Sequence, residues 1–177
     1  MKNENSDPTH FICIIQKADE KHAETIRQLE RSNQLTGLWN RKAMMEHLQM
    51  ELSRAEAKNQ EISIVNVNID RFTRFNDSFG HHIGDQLLKM VALRMAQWDH
   101  LKSRLYHLNG DEFIILITNT NRRETGHDVQ EILQLFDTPF YINNDEYYIT
   151  PSIGVSMFPQ DGKDANTLLK MPIVPYF

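Results

Sequence analysis

The stretch YHLNGDEFIILI, Tyr106 to Ile117, decides how this chain folds. Asn109-Gly110 between two apolar runs is the strongest short-range sign of a β-hairpin turn. Two carboxylates, Asp111 and Glu112, follow at once, and then an apolar strand. Such a turn reads in two ways: as a solvated loop tip, or as a turn that holds acids over a ligand.

Working outward, the segments on either side alternate between helical and extended patterns. Upstream, QLLKMVALRMAQW has an apolar helical face, and EISIVNVNI is a β-branched strand ending near Asn68 and Asp70. A helix over 41–58 precedes it, with Met44, Leu48, Leu52 and Ala55 at i, i+4 spacing. FNDSFGHHIGD between strand and helix reads as a polar loop. Downstream, ETGHDVQEILQLFDTPF predicts another helix, and EYYITPSIGVSMFP the last strand. Helix, strand, helix, hairpin, helix, strand makes a mixed α/β (α+β) domain with helices packed on one sheet.

The chain of 177 residues, 40% hydrophobic, is long enough for one domain with a core. Its net charge of −5, with mixed signs throughout, offers no basic surface for nucleic acid. No apolar run approaches the ~20 residues that span a bilayer, so no membrane partner is expected. MKNENSDPTH lacks the apolar core of a signal peptide, and the single cysteine, Cys13 in FICII, reads as a small buried hydrophobe. A cytoplasmic protein is the simplest expectation.

Ligand sites in α/β proteins gather at strand ends and the loops after them. Two such places carry acids: Asp70, Asp77 and Asp85 after the first strand, and the Asn109–Glu112 turn. Acids from two strands converging on one hard cation would suit phosphoryl transfer, because magnesium takes oxygen ligands and bridges phosphates. Alternatively, Asp77 and Asp85 cap turns and helices.

LTGLWNR, NIDRFTRFNDSFGHHIGDQLL, NGDEF and SIGVSMFPQDG stand in the order and spacing of the GGDEF family, the diguanylate cyclases, and the chain resembles that family from Asn33 to about Lys170. The resemblance implies a five-stranded, mainly antiparallel sheet wrapped by helices, similar to nucleotide cyclases and polymerase palms. It implies two GTP-loaded subunits condensing their substrates into cyclic di-GMP with Mg2+, hence GTP as ligand and a homodimer when active. It places guanine recognition on Asn76 and Asp85, and the phosphate loop on Arg71, Phe72 and Thr73. The signature turn is Asn109, Gly110, Asp111, Glu112 and Phe113, with Asp111 and Glu112 as the catalytic acids. The metal falls to Asp111, the backbone of Ile69, and Asn68.

Several of these positions depart from the family pattern. Asn68 stands where the family has a metal carboxylate, so the Asp-x-Asp pair keeps only Asp70. Thr73 replaces a phosphate-binding Lys, His107 replaces an Arg before the turn, Asn109 replaces the first glycine, and Asn33 an Asp before LTGL. The product-binding Arg-x-x-Asp falls on His100 and Ser103 and is absent. Losing one charge-assisted contact costs on the order of 1.5–3 kcal/mol. The expectation is a degenerate cyclase domain that keeps its guanine pocket and acts as a GTP-binding regulatory module. The alternatives are an active cyclase and a non-binding dimerisation remnant.

At the ends, 1–16 resembles the close of a PAS sensor, 17–32 a linker helix, 33–170 the GGDEF domain, and 171–177 an aberrant tail. MPIVPYF carries two prolines where the family starts a helix. A reading-frame slip would account for it, since suitably chosen codons in a shifted frame spell Asn-Ala-Asp-Ser-Ala-Leu-Phe; a genuinely divergent tail is the other reading. On the slip reading the last helix and strand are missing. The PAS-like start implies a longer parent protein with a sensor, and degenerate GGDEF domains often precede an EAL phosphodiesterase domain.

Overall fold

The computed structural model describes residues 29–98 and 103–170. The PAS-like segment over 1–16, the linker helix up to residue 28, His100 and the tail over 171–177 lie outside the described residues. Helix α1 (Arg41–Lys58) begins at Asn40, whose side chain accepts from the Ala43 N–H, and closes on Asn59 in the left-handed conformation (φ 52°). Its predicted stripe, Met44, Leu48, Leu52 and Ala55, is buried.

Strand β1 (Ile62–Ile69) sends alternate residues to two cores: Ile62 and Ile64 to one, Val65, Val67 and Ile69 to the other. After it come α2 (Phe72–Phe79), α3 (His81–Ala96), β2 (Ser103–Asn109), β3 (Glu112–Thr118) and α4 (Arg122–Gln134). A small hairpin, β4 (Phe140–Ile142) and β5 (Asp145–Tyr147), precedes β6 (Pro151–Phe158) and α5 (Ala165–Leu169). The sheet order is β2-β3-β1-β6, every pairing antiparallel. Residues of α1 and α5 cover one face, and residues of α3 and α4 the other.

Two expectations are corrected. FNDSFGHHIGD is no loop: Phe72, Phe75 and Phe79 recur at helical spacing on α2, and Gly80 (φ +86°) turns directly into α3. The last extended segment is two strands, because the chain pairs locally at Asp145–Tyr147 around Asn143 and Asn144, both at positive φ, before β6 begins. The main sheet has four antiparallel strands among the described residues. No helix among the described residues is long and apolar enough to cross a membrane.

Candidate functional site

The hairpin differs in detail from its sequence reading. Asn109 pairs with Glu112, so the two central turn residues are Gly110 and Asp111. Gly110 alone of the turn takes positive φ, +53°, the requirement at the first central position of a type II′ turn. Asn109 therefore belongs to β2 and supplies no left-handed residue. A bulge at Leu108 shifts the register between His107 and Asn109 and re-aims the tip.

His107 fixes that tip from below. Its ring stacks on Phe113 at 4.4 Å with a 9° interplanar angle, and Nε2 lies 2.8 Å from the Gly110 carbonyl. Nδ1 lies 3.1 Å from Thr36 Oγ1, which is also 3.3 Å from Asn33 Oδ1. Asn33 Oδ1 accepts from the Leu35 and Thr36 amides, and the Trp39 carbonyl accepts from the His107 N–H at 2.9 Å. The LTGLW loop is thereby laced to the signature turn. Burial lowers the His107 pKa below its ordinary 6.5, against the opposing pull of the Gly110 carbonyl and Asp111. A neutral ring with its proton on Nε2 donates to Gly110 and accepts from the Thr36 hydroxyl. The two departures at Asn33 and His107 thus meet through Thr36 of the LTGLW loop.

The ladder brings β1 to the acids. Asn68 is registered opposite Glu112, and the Ile69 N–H donates to the Asp111 carbonyl at 3.3 Å. Asn66, two residues back on the same face, donates from Nδ2 to Glu112 Oε1 at 3.2 Å, and Asn68 Nδ2 donates to Asn66 Oδ1 at 3.2 Å. Sequence reasoning misses Asn66; its signal is an amide on the strand face that Ile62 and Ile64 turn to a core. Asp70 turns to β6 instead: Thr150 Oγ1 and Ser152 Oγ donate to its two oxygens at 2.7 and 2.5 Å, fastening the end of β1 to β6.

The chain then enters α2 through Arg71, held at φ +57° with no side-chain cap. The leading amides of α2, Phe72 and Thr73 among them, have no partner within the helix and suit an anion. Arg71 also lines an open cleft of about 790 Å³ with Arg74, Phe79 and Tyr148. Asn76 faces α3 instead. A Cβ on Gly84 would stand 1.8 Å from Asn76 Oδ1 and 3.3 Å from Phe72 Cζ, so the glycine lets the helices close on the amide. Asn76 Oδ1 is buried without a hydrogen bond, leaving Nδ2 as the outward donor, and Asp85 is exposed next to Gly84. An outward amide and a free carboxylate on adjoining helices match the acceptor and donor edges of guanine. Asp77 is exposed on α2.

The metal position fits a divalent cation poorly. Hard cations take several oxygens, usually including carboxylates. Here the position beside Asp111 and Glu112 is a neutral Asn68, which can offer only a weak amide oxygen in place of a carboxylate, and one Glu112 oxygen already accepts from Asn66. A separate group of side chains close enough together to hold an ion, His127, Asp128 and Glu131, lies on α4 and shares no residue with this site.

The profile described as "Diguanylate cyclase, GGDEF domain" matches residues 31–171. Among curated relatives, the cyclic di-GMP phosphodiesterase NbdA of Pseudomonas aeruginosa is 32% identical over 165 residues, covering 93% of this chain and 21% of that protein. Diguanylate cyclase DgcP of the same organism is 32% identical over 151 residues, covering 84% of this chain and 22% of that protein. This chain therefore spans about a fifth of either relative. Among solved structures, a sensory box/GGDEF family protein from Caulobacter crescentus superposes with TM-score 0.72 at 29% identity, covering 78% of this chain and 90% of that one. The coiled coil and GGDEF domain of DgcB from Caulobacter crescentus, in complex with c-di-GMP, superposes with TM-score 0.80 at 21% identity, covering 94% and 90%; at that identity it speaks for the fold.

Proposed function

The chain belongs to the GGDEF family of diguanylate cyclase domains, and from that premise we propose that it binds GTP as a regulatory module of cyclic di-GMP signalling, with little or no turnover. Asn76 and Asp85 take the guanine, Asn76 donating to O6 and Asp85 accepting from the ring N–H and exocyclic amine. The leading amides of α2 at Phe72 and Thr73, with the charge of Arg71 close by, take the phosphates. Asp111, Asn68 and the Ile69 carbonyl are the remains of a metal site, and Glu112 is the second acid of the signature turn.

One observation carries the reading. The guanine side keeps an outward amide and an uncommitted carboxylate, while Glu112 on the catalytic side is committed to Asn66. Titration with fluorescent GTP tests it: saturable binding displaced by GTP and not by ATP is expected, and no saturation overturns it. The domain acts on neighbours in a longer polypeptide, with a PAS sensor and an EAL phosphodiesterase domain as the proposed partners, in the cytoplasm.

The second reading is an active cyclase, favoured by the intact hairpin that presents Asp111 and Glu112. It requires Mg2+ and a homodimer. Incubation with GTP and chromatography for cyclic di-GMP decides it, and the regulatory reading expects no product above the protein-free control.

A further inference from the structure

The two amides beside Glu112 form a directional chain. A carboxylate at neutral pH accepts and does not donate, so the atom of Asn66 that faces Glu112 Oε1 is its NH2. That turns Asn66 Oδ1 toward Asn68, and the NH2 of Asn68 must meet it. Donation runs Asn68 to Asn66 to Glu112, and each amide is oriented by the acid at its end.

The surroundings of Asn66 sharpen the point. Ile114, its cross-strand partner on β3, is buried, and Ile64, two residues back on the same face, is in the core. Gly154 is registered opposite Asn66 on β6. An aliphatic side chain would continue this apolar strip. An amide here carries a desolvation cost that its bonds to Glu112 and Asn68 offset. Its hydrogen-bonding groups do for Glu112 part of what a cation does at paired acids: they supply positive partial charge to a carboxylate oxygen.

We propose that the Asn66–Asn68 amide pair stands in for a divalent cation at Glu112, so that this site binds nucleotide without Mg2+, with Asn66 as the positioning residue that holds Glu112 out of the reaction. The nucleotide part rests on the GTP-binding reading above. The corollary is specific: Asn68→Asp alone does not rebuild the metal site. It places one amide between two carboxylates, and Asn66 then turns its oxygen toward one of them whichever way it faces. Clearing Asn66 as well leaves the introduced carboxylate registered opposite Glu112, with Asp111 the next residue in the turn, and a pair of like charges is what a divalent cation relieves.

The test compares wild type, Asn66→Leu, Asn68→Asp and the double variant N66L/N68D by two readouts. The first is Mn2+ uptake by the nucleotide-free protein, followed by electron paramagnetic resonance. The double variant is expected to bind Mn2+ at least about tenfold more tightly than wild type, with Asn68→Asp in between. Equal affinity in wild type and double variant overturns the proposal. The second is fluorescent GTP titrated in millimolar Mg2+ and in EDTA. Wild-type affinity is expected to agree between the buffers within about twofold, and a loss of about tenfold in EDTA overturns the proposal. This arm needs no variant, so it holds even if a substitution impairs folding. Absence of GTP binding in both buffers overturns the GTP-binding reading instead, and the Mn2+ comparison still decides the amide pair.

Discussion

On the α2–α3 side of the site, a glycine withdraws its side chain so that two helices close on Asn76; on the hairpin side, Asn66 adds an amide that closes on Glu112. Both regions grow from the C-terminal half of β1, one through the helices that follow it and the other through its ladder with β3. The difference lies in what the packing leaves free. Beside Gly84 it frees an amide nitrogen and a carboxylate for a ligand, while beside Asn66 it consumes the acid. On the function proposed above, a shared scaffold can keep a guanine surface while one of the acids assigned to catalysis is held by a neighbouring amide, because the two are set by separate local contacts.

The comparison is broken most severely at Gly84. In Gly84→Ala the new Cβ meets Asn76 Oδ1 at 1.8 Å, so the amide must swing away. Overpacking costs about 1–3 kcal/mol, and here the loss in denaturant titrations is expected at the low end or below, because the crowded atoms are a side-chain tip and alanine favours the helix over glycine. GTP binding is expected to weaken by more than about tenfold at the same time. The double variant N76A/G84A regains the stability without the binding, which separates crowding of this amide from general damage to α3. Asp70→Ala comes next. It strips the acceptor from Thr150 and Ser152, frees the end of β1 from β6, and loosens both halves together. About 1.5–3 kcal/mol is expected for bonds to a charged acceptor, toward the low end because the group is half-exposed. A smaller change isolates the recognition half: Asp85→Asn alters an exposed carboxylate and leaves the melting temperature unchanged. GTP affinity is expected to fall by about tenfold, and the preference over ATP to shrink with it.

What the sequence disclosed about these two halves follows from the kind of signal each left. Helix α1 and strand β1 were legible because Met44, Leu48, Leu52 and Ala55 keep one period, and the residues from Ile62 to Ile69 are β-branched or alternating. Helix α2 was hidden because Asn76, Asp77, Ser78 and Gly80 are turn formers, and their count outweighed three phenylalanines at helical spacing. The turn residues around Gly110 were legible, but which two stood at its centre was not, since the bulge at Leu108 moves the register by one residue. Substituted positions such as Asn68 and His107 could be seen one by one. Their new partners, Asn66 and Thr36, could not, because those contacts form between neighbouring residues on one sheet face and across 71 residues of chain.

The smallest effect concerns the clamp beneath the turn, and it asks whether the hairpin half is held by a neutral ring. Burial lowers the folded-state pKa of His107 below the 6.5 of an unfolded chain, with Asp111 and the Gly110 carbonyl pulling the other way. Between those two values the unfolded chain binds a proton that the folded chain does not, so stability rises with pH through that window. As pH falls from 7 through 6.5, stability is therefore lost, and the loss levels off below the folded pKa. His47 contributes with the same sign, its pKa lowered by burial and then by Arg104, so the wild-type curve alone does not assign the effect. His107→Gln places an amide where the ring stood, with an N–H that can reach the Gly110 carbonyl and nothing that titrates. Urea midpoints measured for both proteins between pH 5 and 8 are expected to converge in acid and to separate above pH 6.5, wild type being the more stable. Parallel curves would assign the pH dependence to His47 and leave the turn held by packing of the ring against Phe113 alone.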